Sequence, residues 1–239
     1  MIKVCTGFSP AGRVQYGERF LASFDRYWPH SVALEVYVEE PTPMARHAER
    51  SLWGITGARH FADRHRDNLA AQGREAQPCW KAKEIAAGYS FRTDAYKFWK
   101  QILIPEAAAA GMDDGDILVW LDGDVETTYV VPPGFVEKTL GSAEVAFLCR
   151  EPKHSEIGYW ALRLTGRTRM FLMAIADVYR SDRVFSLPQW HSAFVWDHVR
   201  REMGLQGRSL TPSGMGGHVW PSSVLGRYMR HDKGGRKAR

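Results

Sequence analysis

The chain has 239 residues, 44% of them hydrophobic and 25% charged, which suffices for a full buried core and is ordinary for a globular protein in water. It contains no apolar run of membrane-spanning length, and no charged-then-apolar leader precedes the strand pattern that opens at Ile2, so a cytoplasmic protein without stable membrane insertion is expected. The net charge of +5 lies wholly in the segment 227–239, which carries six basic residues against Asp232, while 1–226 balances 26 basic with 26 acidic residues; such a tail suits phosphate, nucleic acid or an acidic surface, and equally a solvated end.

In chain order, Ile2 to Thr6 reads as a strand, Gly7 to Gly12 as a loop at its carboxyl end, and Tyr16 to Trp28 as a helix with apolar residues at helical spacing. The loop has neither GxGxxG nor GxxxxGK[ST], so neither a dinucleotide fingerprint nor a P-loop is present. Ala33 to Val38 supplies a second strand, which the crossover rule places parallel to the first. Pro41 to Gln77 reads as a polar insertion with some helix, rich in Arg59, Arg64, Arg66 and Arg74; it either meets a substrate or forms a solvated face.

Helices are expected over Trp80 to Gly88 and Asp94 to Ala110, with Arg92, Lys97 and Lys100 near the start of the second, where basic side chains either enter a nucleotide cleft or remain on the surface. A strand from Ile117 runs through Leu121 into Asp122, Gly123 and Asp124. Carboxylates at a strand's carboxyl end in an open α/β sheet can hold a hard cation against a phosphate, although Asp-Gly also makes an ordinary turn. A helix at Gly134 to Leu140 and strands at Ala143 to Cys149 and Gly158 to Leu164 follow, the loop between the strands carrying His154, Ser155 and Glu156. Helices at Thr168 to Tyr179 and Gln189 to Met203 and a flexible connection at Pro212 to Gly217 lead to the basic end. Cys5, Cys79 and Cys149 are widely separated and form no CxxC or His/Cys grouping, so they read as reduced core residues rather than a zinc site or a disulfide framework. No repeat or composition break marks a boundary, and one domain over 1–239 is expected.

His231 to Lys237 reads HxxGxxK. A neutral imidazole suits a divalent ion, glycine admits backbone amides close to a diphosphate, and lysine neutralises its oxygens. Paired with Asp-x-Asp at a strand end, the pattern resembles the GT-A glycosyltransferases, in particular the glycogenin-like and galactosyltransferase-like retaining enzymes. That resemblance implies an α/β fold, a single Rossmann-like GT-A domain with a mostly parallel central sheet and flanking helices. It implies Mn²⁺ or Mg²⁺ held by Asp122, Asp124 and His231, with Asp122 shared between the metal and the donor ribose. Gly234 and Lys237 would grip the diphosphate of a nucleotide sugar, and Thr6, Gly7 and Phe8 stand where such enzymes contact the nucleotide. Glu156 stands where the family's strand carries asparagine beside Gly158. The combination FRTDAYKFWK, ILVWLDGDV, SEIGYWAL, QWHSAFVWD and the terminal HxxGxxK also resembles small glycosyltransferases of bacteriophages, some of which modify DNA.

The implied reaction is transfer of a sugar to an acceptor hydroxyl, without an obligatory base if configuration is retained. If it is inverted, Glu156 and His191 are the candidates to take the proton, against the plainer readings of an acceptor contact and a helix cap. The acceptor expectation is a hydroxymethylpyrimidine in DNA, reached by the basic tail, the insertion arginines and base stacking on Trp53, Trp80, Trp190 and Trp220; a phage-encoded enzyme would then work in the host cytoplasm. A surface glycan or saccharide is the alternative acceptor. A nucleotidyltransferase would require a glycine-rich basic loop after the first strand, and a non-catalytic nucleic-acid-binding protein leaves the paired aspartates without a role.

Overall fold

The computed structural model describes residues 1–42, 47–212 and 218–231. Its centre is a seven-stranded, mostly parallel sheet in the order β3-β2-β1-β4-β7-β6-β8, formed by β1 (Ile2–Phe8), β2 (Val32–Val38), β3 (Ala48–Ser51), β4 (Ile117–Leu121), β6 (Val145–Leu148), β7 (Glu156–Arg163) and β8 (Gly207–Ser209). β1 runs parallel to both β2 and β4, as expected of strands joined by helical crossovers, and β3 extends the parallel half. β7 runs antiparallel to β4 and β6, and β8 is parallel to β6.

Alternation along the strands divides the core into two layers. Cys5, Leu118, Trp120, Phe147, Trp160 and Leu162 point to one face, covered by the helices Ala95–Ala109, Gly166–Arg180 and Ser192–Glu202. Val4, Phe8, Val36, Val119, Leu121, Tyr159 and Ala161 point to the other, covered by Glu18–Tyr27 and Phe135–Leu140. Helices on both faces of the sheet explain why β4 reads as an unbroken apolar run, since all five of its residues are buried.

The antiparallel step from β4 to β7 brings the start of β7 to the carboxyl end of β4. Leu121 pairs with Tyr159, and the Asp122 N–H donates to the Gly158 carbonyl at 2.8 Å. A separate two-stranded sheet joins β5 (Val125–Thr127) to β9 (Met229–His231), with Val125 opposite His231. This pairing returns the end of the described chain to the paired aspartates.

Several boundaries differ from the sequence expectations. β1 continues to Phe8 and helical structure begins at Pro10, so Gly7 to Gly12 is not a loop; Ser9 caps that start by accepting the Gly12 N–H at 3.1 Å, with proline in the first turn. A wide π-type turn at Arg13–Gly17 continues into Glu18–Tyr27. The polar insertion contains the edge strand β3 as well as the helix Ala58–His65; the sequence AERS lacks apolar alternation because an edge exposes it. Glu156 belongs to β7 and not to the preceding loop. Cys5 is buried, whereas Cys79 and Cys149 are only half-buried, and all three are free thiols. No helix among the described residues is long and apolar enough to cross a membrane.

Candidate active site

A cavity of about 600 Å³ opens at the carboxyl ends of β1 and β4, where an open α/β sheet ordinarily binds its ligands. Asp122 and Asp124 lie on its floor because β4 ends in them, and β9 supplies His231 from 107 residues further on. His231 Nε2 is 3.0 Å from Asp124 Oδ1 and 3.6 Å from Asp122 Oδ2. One ligand atom from each of the three residues falls within 4.8 Å of the other two. The imidazole is buried, its ring packed 4.9 Å from that of Trp220. Its Nδ1 makes no hydrogen bond, although Glu156 Oε1 stands 3.8 Å away.

Gly158 is required by this packing. A Cβ there would come within 2.7 Å of His231 Cε1, 2.9 Å of its Nδ1 and 3.2 Å of Asp122 Oδ2. Gly7 is similarly tight, since a Cβ would lie 2.5 Å from Ile104 Cδ1.

Among the described residues, three carboxylates, Asp122, Asp124 and Glu156, are gathered around His231, with Arg150 beside Glu156. Burial, followed by the neighbouring Asp124 charge, raises the Asp122 carboxyl to about 6, with His231 and the Trp120 N–H partly offsetting them. For His231, burial favours the neutral ring, but the Asp124 hydrogen bond and the charges of Asp124, Asp122 and Glu156 outweigh it and raise its pKa. Two carboxylates and an imidazole form an oxygen-and-nitrogen donor set suited to a divalent cation such as Mn²⁺, and the crowded charge is what a cation would relieve. The residues therefore fit a metal.

Around this centre, Trp120 Nε1 and Gln101 Nε2 donate to Asp122 Oδ1 at 2.8 and 2.9 Å. Arg150 Nη1 is 3.6 Å from Glu156 Oε2. The turn before Glu156 is fixed by the buried Asp197, which accepts the Ser155 N–H at 2.7 Å and its hydroxyl at 2.9 Å.

Of the residues anticipated for the nucleotide, Gly7 and Lys97 line the cavity. Thr6 and Phe8 do not: as alternate residues of a strand longer than expected, they point into the core, where each is buried. Arg92 is turned to Glu84, with Nε 3.2 Å from its carboxylate, and is absent from the described lining. Gly234 and Lys237 lie outside the described residues, as does most of the connection Pro212 to Gly217.

Glu156 and His191 both border the cavity. His191, however, has both ring nitrogens engaged: Nδ1 accepts the Phe194 N–H at 3.3 Å as the helix cap, and Nε2 lies 3.0 Å from Gln189 Oε1. Burial, then the charges of His154, Arg92 and Arg150, pushes its pKa down to about 3. A neutral ring whose free lone pair holds a helix end does not fit the role of proton acceptor, and the capping reading replaces it.

The stacking surface expected for DNA is also corrected. Trp80, Trp190 and Trp220 are buried, and Trp53 is half-buried with the Arg59 guanidinium 5.2 Å above its ring. Arg64 pairs with Asp182 and Arg66 with Asp63 on the surface. Tryptophan's large apolar area favours the core, which composition alone does not distinguish from a binding face.

Gln101, Trp120 and Arg150 were not singled out from sequence. The signal for Gln101 was available: Lys97, Gln101 and Ile104 are spaced i, i+4, i+7 on one helix and all three line the cavity. Trp120 and Arg150 have no comparable signal, because their contacts depend on strand pairing.

No protein-family model matches the chain, and no curated protein sequence matches it. Among solved structures, it is similar to a glycosyltransferase involved in the glycosylation of the major capsid of PBCV-1, with 13% identity and a TM-score of 0.50 over 99% of this chain and 95% of that one. The chain has a GT-A glycosyltransferase fold. It is also similar to mouse xyloside xylosyltransferase 1, at 11% identity and TM-score 0.45 over 84% of this chain and 82% of that one. Glycosyltransferase GlyE of Streptococcus pneumoniae TIGR4 gives 11% identity and TM-score 0.47 over 87% of this chain and 44% of that one. Within the GT-A fold, the cavity at the ends of β1 and β4 is the place where Asp122, Asp124 and His231 meet.

Proposed function

We propose that this protein is a metal-dependent glycosyltransferase that moves a sugar from a nucleotide diphosphate sugar to an acceptor hydroxyl. The observation that carries the proposal is the convergence of Asp122, Asp124 and His231, from segments far apart in the chain, on one point within a cavity of the GT-A fold. Asp122 through Oδ2, Asp124, and His231 through a deprotonated Nε2 would hold the cation. When bound, a divalent ion stabilises the charge developing on the departing diphosphate. Gly7 admits the nucleotide to the end of β1, Lys97 offers positive charge from the cavity wall, and Lys237 keeps the diphosphate contact that the sequence pattern gives it. Glu156, set between Arg150 and His231, is the carboxylate placed to orient the acceptor or take its proton.

The test is release of nucleoside diphosphate from a panel of nucleotide sugars with Mn²⁺. Wild type should turn over one donor and Asp124→Asn none; equal turnover by the variant would remove the metal-site assignment. The same reaction, offered hydroxymethylated DNA, unmodified DNA and soluble saccharides, assigns the acceptor by mass. A gain on hydroxymethylated DNA alone supports the base-modification reading, and a gain on saccharides alone replaces it with glycan synthesis.

A further inference from the structure

Asp122 presents its two carboxylate oxygens to different surroundings. Oδ1 already receives two hydrogen bonds, from Trp120 Nε1 at 2.8 Å and Gln101 Nε2 at 2.9 Å, while Oδ2 is the oxygen that faces His231. The Gln101 amide is itself fixed from behind. Ser192 donates its hydroxyl to Gln101 Oε1 at 2.5 Å, and Ser192 is fully packed at the first position of the helix Ser192–Glu202. Rotating the amide by half a turn would set its oxygen against Asp122 Oδ1, two acceptors in contact without a proton between them. One orientation of the amide is therefore selected from both sides.

We propose that Gln101 and Ser192 are positioning residues that orient the Asp122 carboxylate so that Oδ2 is the oxygen it offers to a divalent cation. The proposal rests on the metal-site reading above and adds to it a relay from the start of one helix, Ser192, through the middle of another, Gln101, to the end of β4. With Oδ1 taken by two donors, Oδ2 is held toward His231 as the oxygen left for a cation before any ion arrives. Partners that orient a metal ligand in this way are typically worth a factor of about 10 to 100 in metal affinity.

The experiment is a Mn²⁺ titration of the full chain, without donor, followed by the electron paramagnetic resonance of the free ion. Gln101→Leu removes both amide groups at similar volume, and Ser192→Ala removes only the hydroxyl. The expected result is a Kd for Mn²⁺ raised about tenfold or more in Gln101→Leu and several-fold in Ser192→Ala, with the circular dichroism of the wild type. Wild-type affinity in a folded Gln101→Leu would overturn the proposal, because a purely structural glutamine changes the melting temperature and leaves Kd alone. If Gln101→Leu does not fold, Ser192→Ala decides by the same criterion. Absence of Mn²⁺ binding by wild type overturns the metal-site reading itself, a result distinct from wild-type binding that the variants leave unchanged.

Discussion

The substitution Asp122→Asn should stabilise the metal-free protein at neutral pH while abolishing its response to metal. Burial and the adjacent Asp124 charge raise the Asp122 carboxyl from 3.8 to about 6. A carboxyl with a raised folded pKa contributes stability that is fully present below its unfolded pKa and is lost as pH rises through the folded value. The loss is complete above about pH 7. At about 1.4 kcal/mol per unit, two units correspond to about 3 kcal/mol, a ceiling that solvent contact and local relaxation reduce. At pH 4.5 only about 1 kcal/mol of this has been lost. The raised pKa of His231 acts in the same direction. Asparagine retains an oxygen for Trp120 and Gln101 and carries no charge, so at pH 8 with a chelator the variant should melt about 5 to 10 °C above wild type, an advantage that shrinks toward pH 4.5. Mn²⁺ at a hundred times its Kd should return about 2.7 kcal/mol to wild type and little to the variant. Scanning fluorimetry at the two pH values, with chelator and with Mn²⁺, reads all four conditions. An advantage of equal size at both pH values, or none at pH 8, would refute the reasoning that buried like charge strains the site.

Gly158→Ala should weaken Mn²⁺ binding at least tenfold in the same titration used for Gln101, because its Cβ would displace the His231 ring. Asp197→Ala should cost about 2 kcal/mol or more in a urea melt, since it leaves the Ser155 N–H and hydroxyl without their acceptor; donor turnover should fall further than stability alone explains, through misplacement of Glu156. The His191 imidazole signals should hold their neutral positions from pH 8 to pH 5 in an NMR titration, as burial keeps its pKa near 3. A midpoint near pH 6 would show that the ring is not held as the helix cap.

What the sequence determined by itself is whatever local periodicity and local chemistry encode. The apolar run Ile117–Leu121 has the length and composition of a buried strand, and its abrupt end in Asp122 and Asp124 marks the cavity floor. The pattern HxxGxxK selected His231, and the fold places that ring beside both carboxylates. Tertiary structure decided the rest. The strand β9 has three residues and no apolar signature of its own, so only its pairing with β5 reveals how His231 returns to Asp124. The antiparallel turn of β7 set Glu156 and Gly158 against the site, and a packed amide, Gln101, joined through a helix whose first residue is 91 positions away. Sequence reasoning failed where one residue type serves two environments: the phase of β1 turned Thr6 and Phe8 inward, and the tryptophans assigned to stacking went into the core. Spacing along a chain fixes which side chains share a face, whereas which faces meet is fixed by long-range pairing and burial, and neither is written in any one segment.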